Sequence, residues 1–418
     1  MNEIEIIRTV FVFIALLFMG YITLRNHQEE KRNWAMFNAS LLVGTWLPII
    51  NFILVDQGYW KFTESTALGM PFDLYFLWVI LWGVIPCFFL LKKHFLIVFI
   101  AVFWMDIIFM PLLQKYGVLE LHENWLIGEV LMILTVFIPS YLWSYSSYHS
   151  IYLWFRAVCQ VIVMIGLIII GLPFLLNHYQ LISEVNYSWS PILLQVLLII
   201  VFPALVAVQD LVIKGRGTPF PYDKTKRLVT TGVYAYCRNP IQWSLTWIFI
   251  PLCIYHETYF LLIGSVVSIA YVFGVSEFQE YPDMAKRYGE EWQNYIDKVP
   301  KWYFLWQPKF IPKGTIYFDM NCQQCSHIAQ WFTNRNTQNL NIAPASTYNG
   351  EILTKVTYVD HQQNIYRGVN AIGHALEHIN LAYATLGWFL RFYPLNYLFQ
   401  LIVDTMGIGD EAETCDIK

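Results

Sequence analysis

Charge is what this sequence has least of. Only 13% of its residues are Asp, Glu, Lys or Arg, and 57% are hydrophobic, where a soluble domain carries about 25% charged residues. That deficit, together with 17 Trp, 27 Tyr and 30 Phe, excludes an ordinary soluble domain and points to an integral membrane protein. The net charge of -4 and the lack of any basic run interleaved with aromatics exclude a nucleic-acid partner. No repeat at a fixed period is present, which sets aside solenoids. No small-residue cleavage site follows the first apolar run, Ile6 to Leu24. That run is also too long for a signal-peptide core, so it is expected to remain as a span.

What the sequence has is long apolar runs. A bilayer core of about 30 Å takes roughly 20 apolar helical residues. Spans are expected near 5–24, 36–55, 73–91, 94–114, 125–146, 151–176, 190–213, 241–255 and 258–276, nine in all, the last two forming a hairpin joined by "YHET". Arg25, Lys31, Arg32, Lys92, Lys93 and the group Lys214, Arg216, Lys224, Lys226 and Arg227 fall in loops on one side. The positive-inside rule then puts the N-terminus outside and the C-terminal tail in the cytoplasm. From Glu277 onward charge returns, Pro300, Pro308 and Pro312 mark a linker, and "TIYFD" reads as a short buried strand. The expected fold is an all-α polytopic membrane protein with a small C-terminal α/β domain. Its expected parts are an N-terminal transmembrane bundle (1–150), a second membrane domain (151–310) and a cytoplasmic domain (313–418).

The stretch "RLVTTGVYAYCRNPIQ", Arg227 to Gln242, is polar and glycine-bearing at the threshold of an apolar run. Proline disfavours helix before it and is welcome in a first turn, so Arg238-Asn239-Pro240 reads as a helix start with Asn239 as N-cap. A helix N-terminus carries free N–H groups and partial positive charge; with Arg238 it suits a carboxylate or phosphate. Glu280 is expected just past the hairpin's second helix, and a hairpin returns that arm toward Arg238. Tyr288-Gly289, Trp292 and Tyr295 follow at helical spacing.

In that order, Leu228, Val229, Thr230, Gly232, Tyr234, Arg238, Asn239 and Pro240, then Glu280, Tyr288, Gly289, Trp292 and Tyr295, resemble the isoprenylcysteine carboxyl methyltransferases and their phospholipid methyltransferase relatives. The resemblance covers about 190–305, and the preceding "GRGTPFP" is typical of bacterial members, which implies a bacterial inner membrane. Three positions depart from the pattern. Lys226 stands for a histidine, Tyr281 for the second glutamate of a pair, and Asn239 for the eukaryotic histidine. The resemblance implies S-adenosylmethionine as cofactor, bound by Leu228, Val229, Gly232, Tyr234, Arg238, Asn239, Pro240, Glu280, Tyr288 and Tyr295. Arg238 would hold an anionic group, Glu280 a polar group of the cofactor, and the methyl acceptor would be a membrane lipid or lipidated molecule.

"TIYFDMNCQQCSHIAQWF" sets Cys322 and Cys325 after a strand and at the opening of a helix. A thiolate at a helix N-terminus is stabilised, and a two-residue spacer lets the pair form and break a disulfide. The rival readings are a zinc half-site, which lacks a second Cys-x-x-Cys, and structural thiols; Cys415 stands alone. Asp319, Cys322 and Cys325, with Met320 where a glycine is usual, resemble the DCC family of thiol-disulfide oxidoreductases over about 313–407. That resemblance implies a thioredoxin-like fold and a redox partner. "HALEH", His374 to His378, matches a zinc-protease pattern, but it lies in a helix that the same resemblance already accounts for, so no metal is assigned. Asp73, Asp106 and Glu129 fall inside the first 150 residues' apolar segments. Charges there are costly and face a partner or a cavity, so they line a lipid chamber or bond between helices. Three functions follow: a membrane methyltransferase with a fused redox domain, a membrane-anchored thiol-disulfide oxidoreductase, or a non-catalytic lipid-binding protein.

Overall fold

In lipid a backbone must satisfy its own amides, so long apolar runs become helices, and the computed structural model is mostly helical. It describes residues 30–64, 69–90, 95–178, 180–182, 190–350 and 352–405, with isolated residues between 9 and 21. The expected span 5–24, Arg25, Lys92, Lys93 and Cys415 lie outside the described residues, apart from those isolated positions in the span. The chain divides into two compact units. One is Met1–Ser188 with Thr218–Lys224 and His256–Leu261; the other is Trp189–Gly217, Thr225–Tyr255 and Leu262–Lys418.

The first unit contains α1 (Glu30–Asp56), β1 (Trp60–Phe62), α2 (Phe72–Cys87), α3 (Phe95–Lys115), β2 (Leu119–Leu121), α4 (Trp125–His149) and α5 (Leu153–Asn177). Its core gathers Leu42, Trp82, Phe137, Tyr141, Trp143 and Val163. Asp106 and Glu129 are buried. The Trp82 indole donates to Asp106 at 3.0 Å, Glu129 is buried beside it, and Asp73 sits in the first turn of α2, where a carboxylate meets the helix dipole. This unit also holds the segment Thr218–Lys224. Arg156 pairs with Asp223 at 2.6 Å, Gln160 donates to Thr218 at 3.0 Å, and Tyr222 donates to Asn38 at 2.6 Å while stacking on Trp34.

The second unit opens with α6 (Pro191–Gly215), α7 (Pro240–Tyr255) and α8 (Leu262–Ile296). Then come β3 (Gly314–Phe318), α9 (Gln323–Thr333), β4 (Leu340–Pro344), β5 (Thr357–Val359), β6 (Ile365–Arg367), α10 (Val369–Leu376), α11 (Leu381–Arg391) and α12 (Leu395–Thr405). The sheet order is β4-β3-β5-β6, with β3 parallel to β4 and antiparallel to β5. Ile316 and Phe318 of β3 pack on Phe332, Ala371 and Ala375.

Among the described residues five helices are long and apolar enough to cross a membrane: α1, α4, α5, α6 and α8. The expected nine spans are thus not confirmed among the described residues. The expected span 241–255 is a helix of 10–17 residues, α7, short of the roughly 20 that a 30 Å core takes, while the helix that opens with α2 continues to Leu90. The expected end of the hairpin's second arm near 276 is also corrected. α8 runs for 35 residues to Ile296, through a π-helical stretch Val272–Glu280 and a kink at Gly289, φ 55°. Glu280 is thus inside a helix and not past its end.

A buried ion network binds α6 to the C-terminal helices. Arg391 grips Asp210 with two bonds of 2.8 Å and donates from Nε to Glu377 at 2.5 Å. Lys214 adds a second cation on Asp210 at 3.1 Å. Gln209 extends the junction, donating to the Arg391 carbonyl at 3.1 Å and accepting from the Tyr393 amide at 2.8 Å. The "HALEH" residues serve this layer. His374 lies 3.6 Å from Glu377. The His378 Nδ1–H donates to the Gln338 carbonyl at 2.6 Å, so its Nε2 accepts from the Tyr358 hydroxyl at 2.8 Å. Both ring nitrogens are committed, and the histidines are packed.

Burial pushes His374 and His378 down to about 4, and Arg391 and Lys214 hold the Glu377 carboxyl well below its usual range against the opposing effect of burial. A histidine held neutral in the fold but titrating near 6.5 when unfolded contributes stability that is complete above about pH 6.5 and lost as pH falls toward 4. Depression of Glu377 acts in the same direction at lower pH. Unfolding of the second unit is expected to take up about two protons in that window, lowering stability by about 1.4 kcal/mol per pH unit per histidine. Denaturant midpoints read through amide exchange in α10 measure this, and a flat profile between pH 6.5 and 4 contradicts it.

Candidate functional site

The polar stretch before α7 folds as a short 3-10 turn, Gly232–Ala235, followed by a helix that begins at Pro240. The Asn239 side chain makes no cap hydrogen bond to that helix; it donates instead to the Tyr281 hydroxyl at 2.8 Å and the Lys301 carbonyl at 3.4 Å. Arg238 is tied by its backbone, N to the Pro300 carbonyl at 2.9 Å. Its guanidinium lies over the Tyr281 ring, 5.6 Å from the centroid, and its Nε is buried with no hydrogen-bond partner. Lys301 approaches the same ring at 5.8 Å and is ion-paired with Glu277.

One residue before Tyr281, Glu280 is held by two hydroxyls: Tyr271 donates to Oε1 at 2.6 Å and Ser276 to Oε2 at 2.8 Å. Each carboxylate oxygen keeps a free lone pair for another donor. The Tyr295 hydroxyl donates to the Tyr234 carbonyl at 2.8 Å. Burial first, then the charges of Asp210 and Glu280, holds the Tyr234 phenol well above its ordinary range, so it stays neutral.

The sequence-predicted residues therefore fall into three groups. Arg238, Asn239 and Pro240 meet Tyr281, and Glu280 precedes that tyrosine on α8. Leu228, Tyr288 and Tyr295 pack with Trp292, Val299 and Tyr281, and the Tyr288 hydroxyl donates to the Thr225 carbonyl at 2.8 Å. Val229 and Tyr234 pack with Val206, Tyr236 and Trp388. Gly232, φ +68°, faces neither of the first two groups; a Cβ there would stand 2.1 Å from Asp210 Oδ2 and 2.5 Å from Arg391 Nη2. Sequence reasoning missed Tyr271, Ser276, Glu277 and Lys301. The one signal for them was "SEFQE", polar residues continuing the period of an apolar helix. Tyr281, noted only as a departure, is the residue shared by Arg238, Asn239 and Lys301.

Away from these, Cys322 is the N-cap of α9, and both Cys322 and Cys325 are free and half-buried. The helix N-terminus does not activate Cys325. Burial first, then the neighbouring Cys322 and Asp319, pushes its thiol up to about 12.

Residues 192–291 match the phospholipid methyltransferase family. No curated protein and no solved structure matches the chain. The matched interval holds Arg238, Tyr281 and Glu280 and ends before Cys322 and Cys325.

Two outcomes follow. Gly232→Ala, strained at positive φ and driven into the Asp210–Arg391 pair, is expected to destabilise the second unit by about 1–3 kcal/mol or more, read as a lower thermal midpoint; an unchanged midpoint contradicts that placement. Cys325 is expected to alkylate more than about tenfold more slowly than a free cysteine at pH 8, measured by peptide mass spectrometry, and equal rates would contradict its elevated pKa.

Proposed function

We propose that this chain is a membrane-embedded, S-adenosylmethionine-dependent methyltransferase acting on a lipid or lipidated acceptor. The observation that carries the proposal is the Arg238 guanidinium. It stands next to a helix N-terminus, with a buried and unpartnered Nε and an aromatic face below it, inside the interval that matches phospholipid methyltransferases. A half-buried arginine with an orphaned donor is set to receive an anion. Glu280, fixed by Tyr271 and Ser276, is set to receive hydroxyl or ammonium donors. These residues fit the cofactor's carboxylate, amine and ribose.

When bound, S-adenosylmethionine supplies an electrophilic methyl group on a sulfonium. Arg238 fixes a carboxylate of the cofactor or an anionic group of the acceptor, and Glu280 orients the polar end of the cofactor. The neutral rings of Tyr234 and Tyr281 offer faces suited to a cation and help exclude water. Chemistry of this kind asks for positioning of two reactants more than for a proton relay. The proposed setting is a bacterial inner membrane, with the N-terminus outside and the site on the cytoplasmic side, where a soluble donor and a lipid acceptor meet.

A second reading concerns the C-terminal region. The order β4-β3-β5-β6, with β3 leading through Cys322 into α9, supports a thioredoxin-like domain. In it the Cys322 thiolate would attack a disulfide of an outside redox protein and release one of its thiolates, and Cys325 would then displace the other from the mixed disulfide, leaving Cys322–Cys325 oxidised and the partner a reduced dithiol. The fused domain then regulates methyl transfer or acts on the same acceptor.

Calorimetry on the purified full-length protein tests the leading proposal. S-Adenosylmethionine is expected to bind, and Arg238→Ala and Glu280→Ala are each expected to weaken binding by about tenfold or more, as for loss of a charged hydrogen bond. In membranes, methyl-labelled donor is expected to label a lipid-soluble product. Folded protein that binds no donor overturns the reading; binding that survives Arg238→Ala and Glu280→Ala unchanged removes those residues from the site.

A further inference from the structure

We propose that α12 is an interfacial membrane helix whose outer face lies in the lipid bilayer, so that the C-terminal domain is seated on the membrane and not merely tethered to it. This rests on the membrane-embedded part of the reading above and not on its chemistry.

α12 presents apolar residues outward while a polar one points at the protein. Gln400 accepts from the Val369 amide at 2.9 Å and donates to Asp404 at 2.7 Å, and Asp404, its side chain 40% exposed, pairs with Lys355 at 2.7 Å. Its apolar residues point outward. Tyr397 is 65% exposed, Leu398 53%, Leu401 61% and Ile402 45%. Residues at i, i+1, i+4 and i+5 form one stripe of a 3.6-period helix. In water such a helix turns its apolar residues inward; here only Phe399 does so in an aromatic contact, with Phe389 at 5.3 Å, beside the inward Gln400, so the wide outward stripe calls for an apolar solvent.

The connection to α6 says which solvent. Phe202, near the middle of the span Pro191–Gly215, packs against Phe389 at 6.1 Å and Phe392 at 5.6 Å. The Tyr393 amide is bound by Gln209, seven residues farther along the same span. The Arg391 carbonyl is bound by the same Gln209, so the segment between α11 and α12 lies at the span's polar end, with the Phe392 ring reaching back toward Phe202. α12 begins there, at the level expected for the bilayer boundary. Tyr393 and Tyr397, edge-to-face at 5.4 Å and both more than half exposed, stand where interfacial aromatics stand. The span α6 itself exposes an apolar surface, on which Leu198 is 64% and Ile199 72% exposed. A helix lying in the interface with tyrosines and leucines in the acyl boundary matches these features. The occupant is the bilayer that α6 crosses.

The test is photo-crosslinking in full-length protein within native membranes. A photoreactive phenylalanine analogue is placed singly at Leu401, at Ile199 as a positive control on the span, and at Gln324, an exposed position of α9. All three sites are on the surface, so folding is preserved. The expected result is lipid adducts, identified by mass, at Ile199 and Leu401, with about tenfold more at Leu401 than at Gln324. Adducts at Ile199 but not at Leu401, or a Leu401 adduct to a second copy or another protein, overturn the inference and leave the membrane reading intact. Equal lipid adducts at Leu401 and Gln324 also overturn it. Lipid adducts at neither Ile199 nor Leu401 overturn both.

Discussion

The second unit depends on one pairing, Arg391 with Asp210. An aspartate within the polar end of an apolar helix is expensive in isolation, and an arginine in a packed helical layer is equally so. Joined by two bonds of 2.8 Å, each removes the other's charge from the apolar surroundings. Such a pair adds little stability over a well-packed apolar pair, but losing one partner leaves an uncompensated buried charge worth about 3–5 kcal/mol. The pairing thus acts as a specification. α11 must present Arg391 to α6, Glu377 must sit on the other side of the guanidinium, and Gly232 must lack a side chain so that its turn passes over the pair. The signature turn before Arg238 takes its position from this demand.

The same economy of charge shapes the candidate site. α8 carries Ser276, Glu277 and Glu280 where a lipid-facing helix carries none, and its backbone is π-helical over Val272–Glu280. A π turn places successive residues at about 4.4 per turn in place of 3.6, and such segments recur at functional sites. Here it accompanies an arrangement in which Glu280 is reached by Tyr271 and Ser276 of its own helix while Tyr281 faces Arg238. The acidic partner expected beside Glu280 is replaced by an aromatic ring, and the remaining acid, Glu277, is neutralised by Lys301. What is left without an ionic partner among these residues is Arg238, the asymmetry on which the proposed anion recognition rests.

Much of this was legible in the sequence. Pro240 after an asparagine marked a helix start, and the helix begins there. Alternation of β-branched and aromatic residues in "TIYFD" marked a buried strand, and Ile316 and Phe318 are fully buried. The illegible parts share a cause. Span counting treats each apolar run as an independent rod, whereas α7 is short and α8 outruns its apolar stretch because tertiary partners accept its polar residues. Asn239 illustrates the limit at a single residue. Its position and type fit an N-cap, yet its side chain makes no cap bond and its amide donates to a phenol 42 positions away. At Cys325 of the Cys-x-x-Cys pair, burial first and then Cys322 and Asp319 act against the thiolate, surroundings that the spacing alone does not show.

These failures separate two kinds of inference. Local rules, in which a residue acts on the backbone within a turn of itself, survive in this chain because the competing terms are of the same short range. Rules that assign a residue to water or to protein from its polarity do not, because the surroundings of this fold have two solvents. Asp210, Arg391, Glu377 and His378 are charged or polar and buried, while Leu398, Leu401 and Ile402 are apolar and exposed. Each placement is costly when water is the only outside medium and becomes economical when part of the outside is hydrocarbon. Reading polarity against burial, residue by residue, therefore maps where lipid meets this protein.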